Sequence, residues 1–466
     1  MPRAFSLWTT SIVVALASSV SLASDLKVGF ATVDITPPIG YRMSGYFSER
    51  PSTGVKDPLY AKAIYFEQDQ SRAAIVVCDL IGVPAALSHL SRHQAEQELG
   101  LPAKNISITA THSHTGPLFS GVLRDFFHEQ AMLKNNGKDP REDVDYPGLL
   151  VLKIVESLRK AQLDARPTRI ASGFAVETRL SFNRRFHMRD GTVRFNPGEQ
   201  NPDIVRVAGP IDPQVGLVAF QSIDGQQMRG ALTTFSLHLD TVSGTEYSGD
   251  YPKYLQDGLR QSFGENFFSA FAAGTCGDIN HIDVSVKKRR SAEQIGSLLA
   301  ETVQPRLREL TVSEARLATA SAKVQVPLQV VSTEQINAAT IGLFSIGDST
   351  IPFLTQVQHC KVVGIAKHGQ KTIDLEVRVF RLTDDTAIVT LPGEVFVELG
   401  LEIKRRSPFA KTIVVELADD CPAYIPTTKA FSEGSYETVN SVVQPGSGEV
   451  MVESAIQLLN ELHTAR

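Results

Sequence analysis

Residues 105–117 read Asn105-Ile106-Ser107-Ile108-Thr109-Ala110-Thr111-His112-Ser113-His114-Thr115-Gly116-Pro117. The first half is a short apolar and β-branched run of strand type, and the second is a polar turn carrying two imidazoles. Side chains two apart on an extended chain share a face, so His112 and His114 can converge on one ion or one substrate. The same arrangement recurs twice. Residues 231–237 form an apolar strand that ends at His238 and the flexible Asp240-Thr241-Val242-Ser243-Gly244, and residues 387–391 form another that ends in Pro392-Gly393-Glu394 before a helical pattern. Ligands of open α/β sheets gather beyond the carboxyl ends of the strands. Two imidazoles and a carboxylate at three such ends therefore predict a metal centre of catalytic type, with a position left open for water.

Outward from these stretches, strand-like runs occur near residues 26–36, 59–67, 72–80, 168–178, 215–223, 267–273, 371–381 and 411–417. Helical periodicity occurs near 85–99, 147–163, 251–262, 291–311, 394–406 and 448–463. Strands interleaved with helices predict an α/β fold, a mixed β-sheet core flanked by helices in the manner of metallohydrolases. Residues 312–380 are more β-like and are expected to form a small β-rich subdomain. Neither an internal repeat nor a Pro/Gly/Ser-rich linker divides the chain.

The 46 Lys and Arg against 51 Asp and Glu leave a net charge of −5 over 466 residues, and the densest basic cluster, Lys287-Lys288-Arg289-Arg290, is four residues long. A chain so charged offers no general attraction to phosphates, which speaks against nucleic acid as a partner. Arg3, an apolar run over residues 12–20 and then Ser21-Leu22-Ala23 read as a secretory signal over residues 1–23, with residues 24–466 as the mature, secreted or periplasmic chain. Cys78, Cys276, Cys360 and Cys421 would allow two disulfides in three pairings; a free thiol is as well expected at Cys78, inside an apolar strand.

A further loop, Gly274-Thr275-Cys276-Gly277-Asp278-Ile279-Asn280-His281-Ile282-Asp283, follows the strand-like residues 267–273. Its glycines permit a tight turn, and Asp278, Asn280, His281 and Asp283 place oxygen and nitrogen ligands close together. A second metal, a substrate-binding loop and a turn in which Asp278 and Asn280 cap backbone amides are all compatible with it.

Taken in order, the motifs resemble the neutral, alkaline-tolerant, non-lysosomal ceramidase family, amidases that split ceramide into sphingosine and fatty acid. The likeness runs from Gly29-Phe30-Ala31-Thr32-Val33-Asp34-Ile35-Thr36-Pro37-Pro38-Ile39-Gly40 and Met43-Ser44-Gly45-Tyr46 through the residue 111–117 element. It continues through Asn183-Arg184, residues 235–240, Gly277-Asp278, Leu391-Pro392-Gly393-Glu394, Ala423-Tyr424-Ile425-Pro426-Thr427-Thr428 and Tyr436. The resemblance implies a Zn2+ ion held by His112, His238, Glu394 and Tyr424. It also implies that His114, Arg184 and Tyr436 contact the reacting amide or its developing oxyanion. Tyr424 enters the ligand set on the resemblance alone.

Two departures stand out. The family loop Gly-Asp-Val-Ser-Pro-Asn, whose Ser is the assigned catalytic hydroxyl, is here Gly277-Asp278-Ile279-Asn280-His281-Ile282, and an amide cannot be acylated as a hydroxyl can. The length after residue 23 also leaves no room for the C-terminal β-sandwich of typical members. The expected chemistry is zinc-assisted hydrolysis of an amide by activated water. His114 would carry the proton to the leaving amine, Arg184, Tyr436 and Asn280 would stabilise the oxyanion, and Asp278 would orient His114 or its own loop. The expected partner is a small-molecule or lipid amide, with transient contact to a membrane surface. Three rivals are a same-fold hydrolase of a non-lipid amide or ester, a zinc-site binding protein that lost catalysis with the Ser, and a two-metal phosphoesterase using His112, His114, Asp278, His281 and Asp283.

Overall fold

The computed structural model describes residues 25–465; the expected signal segment, residues 1–23, lies outside them. The main sheet takes up β1 (Lys27–Asp34), β2 (Tyr60–Gln68), β3 (Ser71–Cys78), β4 (Ile106–Ala110), β5 (Arg166–Val176), β6 (Gln214–Ser222), β7 (Met228–Phe235) and β8 (Phe268–Ala273), in the order β8-β7-β6-β5-β1-β2-β3-β4, with the two-residue strand Val312–Ser313 pairing with β5. Its centre is antiparallel, while the two outer pairs, β7 with β8 and β3 with β4, are parallel. A second sheet holds β9 (Ala315–Pro327), β10 (Thr372–Thr383), β11 (Thr386–Thr390) and β12 (Lys411–Val415) in that order, its last pair also parallel.

The two sheets face one another. Alternate residues explain how: Ile64, Phe66, Ile75, Val77, Val218 and Phe220 of the main sheet pack with Phe380, Leu382, Ile388, Ile413 and Val415 of the second. The intervening residues turn outward onto helices. Ala61, Ala63, Val76 and Cys78 bury against α1 (Ala85–Leu99) and α3 (Tyr146–Leu163), with α2 (Gly121–Lys134) between these two helices in the chain. Leu217, Ala219 and Ala231 bury against α4 (Tyr251–Phe263) and α5 (Ala292–Glu309). Leu375, Val377 and Val389 of the second sheet bury against α8 (Val397–Arg406) and α9 (Ser447–Thr464). The mixed sheet flanked by helices is thus present, doubled into four layers.

The strand-like runs named above are all strands of these two sheets, and the six periodic segments are helices. Residues 312–380 also contain α6 (Thr333–Gly342) and α7 (Phe353–His368), which periodicity did not predict because their apolar residues are spread around the helix. A capping box, Ser332 with Gln335, marks the start of α6. All four cysteines are free, so neither disulfide of the alternative pairing forms. Among the described residues no helix is long and apolar enough to cross a membrane.

Residues 416–419, leaving β12, tie the sheets together at one end. Glu416 N donates to Ala273 O at the end of β8 (2.9 Å), Ala110 N at the end of β4 donates to Leu417 O (3.1 Å), and Leu417 N and Ala418 N donate to Gly393 O and Leu391 O after β11 (3.2 and 3.0 Å). Nearby, Gly277 N donates to Val395 O at 2.9 Å, and a Cβ on Gly277 would stand 2.5 Å from the carbonyl oxygen of Glu394. Gly277→Ala is therefore expected to cost about 1–3 kcal/mol through overpacking of one backbone on another, read as a lower denaturant midpoint with an unchanged slope. An unchanged midpoint would show that the two loops are not in such contact.

Candidate metal centre

The strand ends stitched by residues 416–419 deliver the polar side chains. His112 sits just beyond β4 at φ +77°, a conformation few non-glycine residues adopt, and its backbone N–H is held by Leu80 O at 2.9 Å. Its Nδ1 lies 2.7 Å from Ile81 O. His238, beyond β7, uses Nδ1 the same way toward Cys276 O, at 2.9 Å. With Nδ1 donating to a carbonyl, each ring presents a bare Nε2 inward, the tautomer a metal requires. Both Nε2 atoms lie 3.4 Å from Glu394 Oε2, a buried atom with no hydrogen-bond partner among the described residues. Glu394 starts a two-residue parallel ladder, Glu394–Val395 with Tyr424–Ile425, that sets Glu394 directly beside Tyr424. Gly393 must precede it, because its φ of +81° and the 2.9 Å that a Cβ would have to Ala423 O leave no place for a side chain.

His114 Nε2 is 3.3 Å from His112 Nε2, and its Nδ1 is buried with no hydrogen-bond partner among the described residues. His112, His114 and His238 form a group whose ring nitrogens could hold one metal ion. Burial drives His114 down to about 3 and His238, beside Arg184, to about 4. Burial opposes ionisation of Glu394 as well, but the His112 and His238 imidazoles outweigh it and hold the carboxyl well below the usual carboxylate range. An orphaned carboxylate oxygen facing oriented imidazoles fits a divalent cation of borderline softness.

Arg184 spans the other side. Its Nε donates to Glu437 (2.8 Å), one Nη2 proton to Gly277 O (2.8 Å) and another to the Tyr424 hydroxyl (3.1 Å), while Nη1 reaches His238 Nε2 at 3.3 Å. Tyr436 stands edge-on to Tyr424, ring centroids 5.4 Å apart, with the guanidinium 5.8 Å from the Tyr436 ring. His112, His114, Arg184, His238, Glu394, Tyr424 and Tyr436 thus come together. Asp278 does not face His114: its Oδ2 accepts from Asn183 Nδ2 (2.7 Å) and its Oδ1 from Val397 N (2.8 Å), so it caps α8 from a distant loop and fixes its own loop. Burial pushes its carboxyl up to about 6. Asn280 is fully buried, donating to Asn196 Oδ1 at 2.7 Å and accepting from Ile282 N. Asp283 is tied to Ser285 on the loop beyond.

Three acids, two of them fully buried, escaped the sequence reading. Glu437 pairs with both Arg184 and Arg185 (2.8 and 3.0 Å); its place next to Tyr436 was the available signal. Glu416 accepts from Cys276 Sγ (2.9 Å) and Val395 N (2.6 Å), and burial raises it to about 8. Asp240, two residues beyond His238, lies 3.0 Å from His281 Nδ1. A second group able to hold a metal, His128, Asp139 and Glu142, is already neutralised by Arg42 and Arg124, which bind both carboxylates.

The molecule is a four-layer αββα fold that gathers histidines and a carboxylate at its strand ends. Residues 26–285 match the model of the neutral/alkaline non-lysosomal ceramidase N-terminal domain, and the chain belongs to that family of hydrolases. It is similar to the neutral ceramidase of Pseudomonas aeruginosa, 26% identical over 294 residues that make up 59% of this chain and 40% of the relative, so the match spans well under half of that protein. The crystal structure of neutral ceramidase from Pseudomonas aeruginosa superposes with a TM-score of 0.70 at 19% identity, covering 94% of this chain and 75% of that one. A ceramidase complexed with C2 gives 0.67 at 17% identity, with the same coverage.

Glu437→Gln would leave two buried guanidiniums short of their shared counter-charge, which typically costs about 3–5 kcal/mol. Chemical unfolding should show a loss of that order, and a loss below about 1 kcal/mol would mean that Glu437 is dispensable to the site.

Proposed function

We propose that the chain is an exported, zinc-dependent hydrolase of an amide bond, acting on an N-acylsphingosine or a related N-acyl lipid. The observation that carries this reading is the pair of imidazoles locked by Ile81 O and Cys276 O, both turned on the same unpartnered Glu394 oxygen. His112, His238, Glu394 and Tyr424 would hold the ion. Zinc, when bound, supplies a Lewis acid that makes water nucleophilic near neutral pH.

This chain's own residues do the rest. Arg184, fixed by Glu437, and the Tyr436 hydroxyl donate to the oxygen that gains charge as the carbonyl becomes tetrahedral, and losing one such donor typically costs about 100-fold or more in rate. His114, beside His112, contacts the reacting amide. Asn280 has an amide hydrogen beyond the one given to Asn196, and it cannot form an acyl intermediate, so the attacking oxygen is water's. Asp278 holds the loop that carries it. The family supports the reaction class; a lipid amide substrate, contact with a membrane surface and the absence of a nucleic-acid partner are carried over as proposals. Export rests on the sequence of residues 1–23.

The decisive experiment measures zinc content and hydrolysis of N-acylsphingosine by the wild type, His112→Ala and His238→Ala. Metal is expected to be lost from both variants, with turnover falling about 1,000-fold or more, and to leave the wild type progressively below about pH 6 because ligand histidines must be neutral to bind. Both variants retaining zinc and full turnover would overturn the reading. Asn280 favours one alternative, a zinc-site binding protein without catalysis: an inactive wild type that gains turnover in Asn280→Ser would establish it.

A further inference from the structure

We infer that His281, aimed by Asp240, is the proton-transfer residue of this site, a role that places a carboxylate-imidazole pair where the family pattern has Pro after its Ser. The inference rests on reading the site as an amide hydrolase. His281 follows Asn280 directly, on the loop whose short strand Ile279–Asn280 pairs with Phe182–Asn183 and so runs beside Arg184. His281 Nδ1 lies 3.0 Å from Asp240 Oδ1, while among the described residues no hydrogen bond holds Nε2. Both side chains are largely buried, yet the Asp240 carboxyl keeps about a fifth of its surface open.

Asp240 ties the pair to the centre. Leu239, one residue before Asp240, accepts the backbone N–H of His114 at 3.0 Å and forms a bridge with Ser113. The Asp240 carboxylate acts electrostatically on His281, His114 and His238, and on Tyr46, whose ring lies 5.8 Å from that of His114. His114 is worse placed for the proton: its Nε2 is turned onto His112, and no carboxylate orients its buried Nδ1.

The transfer balances without a protein nucleophile. As water oxygen bonds to the carbonyl carbon, one of its protons passes to His281 Nε2, whose Nδ1–H is already donated to Asp240. When the carbon-nitrogen bond breaks, that proton goes to the leaving nitrogen, and the acid product releases the other water proton to solvent. This is the orienting logic of a Ser-His-Asp triad with water in place of the hydroxyl. His281 is the catalytic residue and Asp240 a positioning residue.

The test compares two substrates of one acyl chain: N-acylsphingosine, whose amine must be protonated to leave, and the p-nitrophenyl ester, whose leaving group needs no proton. His281→Gln should slow the amide by about 100-fold or more and the ester by a clearly smaller factor, because the ester needs the imidazole for water attack alone and the amide needs it for attack and for departure, with KM and zinc content unchanged. Asp240→Asn should show the same selectivity. Nitrogen-15 NMR of the full chain should show His281 as the Nδ1–H tautomer in the wild type and as a mixture in Asp240→Asn, whether or not zinc is present. Equal losses on both substrates, no loss on the amide, or an unaltered tautomer in Asp240→Asn would overturn the assignment while leaving zinc-dependent hydrolysis intact. A wild type that cleaves neither substrate would overturn both.

Discussion

Four residues after β12 hold the two sheets in register at the end where the chemistry lies. Glu416 to Asp419 bond through their backbone to the ends of β4 and β8 and to the turn after β11, which are the segments that supply His112, the Cys276 carbonyl and Glu394. Leu417 and Asp419 take left-handed backbone at +56° and +64° to do so. Asp419 adds side-chain bonds to Ser88, Ser107 and the backbone N–H of Ile108, and pairs with the buried Arg378. Strain of this kind persists only where surrounding bonds over-determine it. The spacing between the ligand side chains depends on that segment, since they come from different sheets.

The fold was legible where the sequence writes one face at a time. Apolar runs and 3.6-residue periodicity located the main strands and six helices, and the strand-end placement of His112, His238 and Glu394 follows from the same patterns. Face-to-face stacking of two sheets was not legible, because a strand buried on both sides reads as one continuous apolar run whichever layer covers it. Helices α6 and α7 hid for the opposite reason, their apolar residues being scattered around the helix.

Within the site, geometry separated residues that spacing had grouped. Asp278 and His281 stand three residues apart on one loop, yet one caps a helix and the other meets Asp240. Glu416 and Asp240 gave no sign of importance because their partners lie far along the chain, Cys276 at 140 residues and His281 at 41, while Glu437, 253 residues from Arg184, had only its place beside Tyr436 to mark it. Tyr424 and Arg184 were reached through family resemblance, and the structure puts them within 3.1 Å of each other.

The four free cysteines bear on how such a chain tolerates its surroundings. Burial pushes every one of these thiols upward, so little of the reactive thiolate exists near neutral pH. A fold held by sheet packing and buried ion pairs, with no sulfur bridge to make or break, is indifferent to redox poise. Its thiols need no partner whether the surroundings are reducing or oxidising.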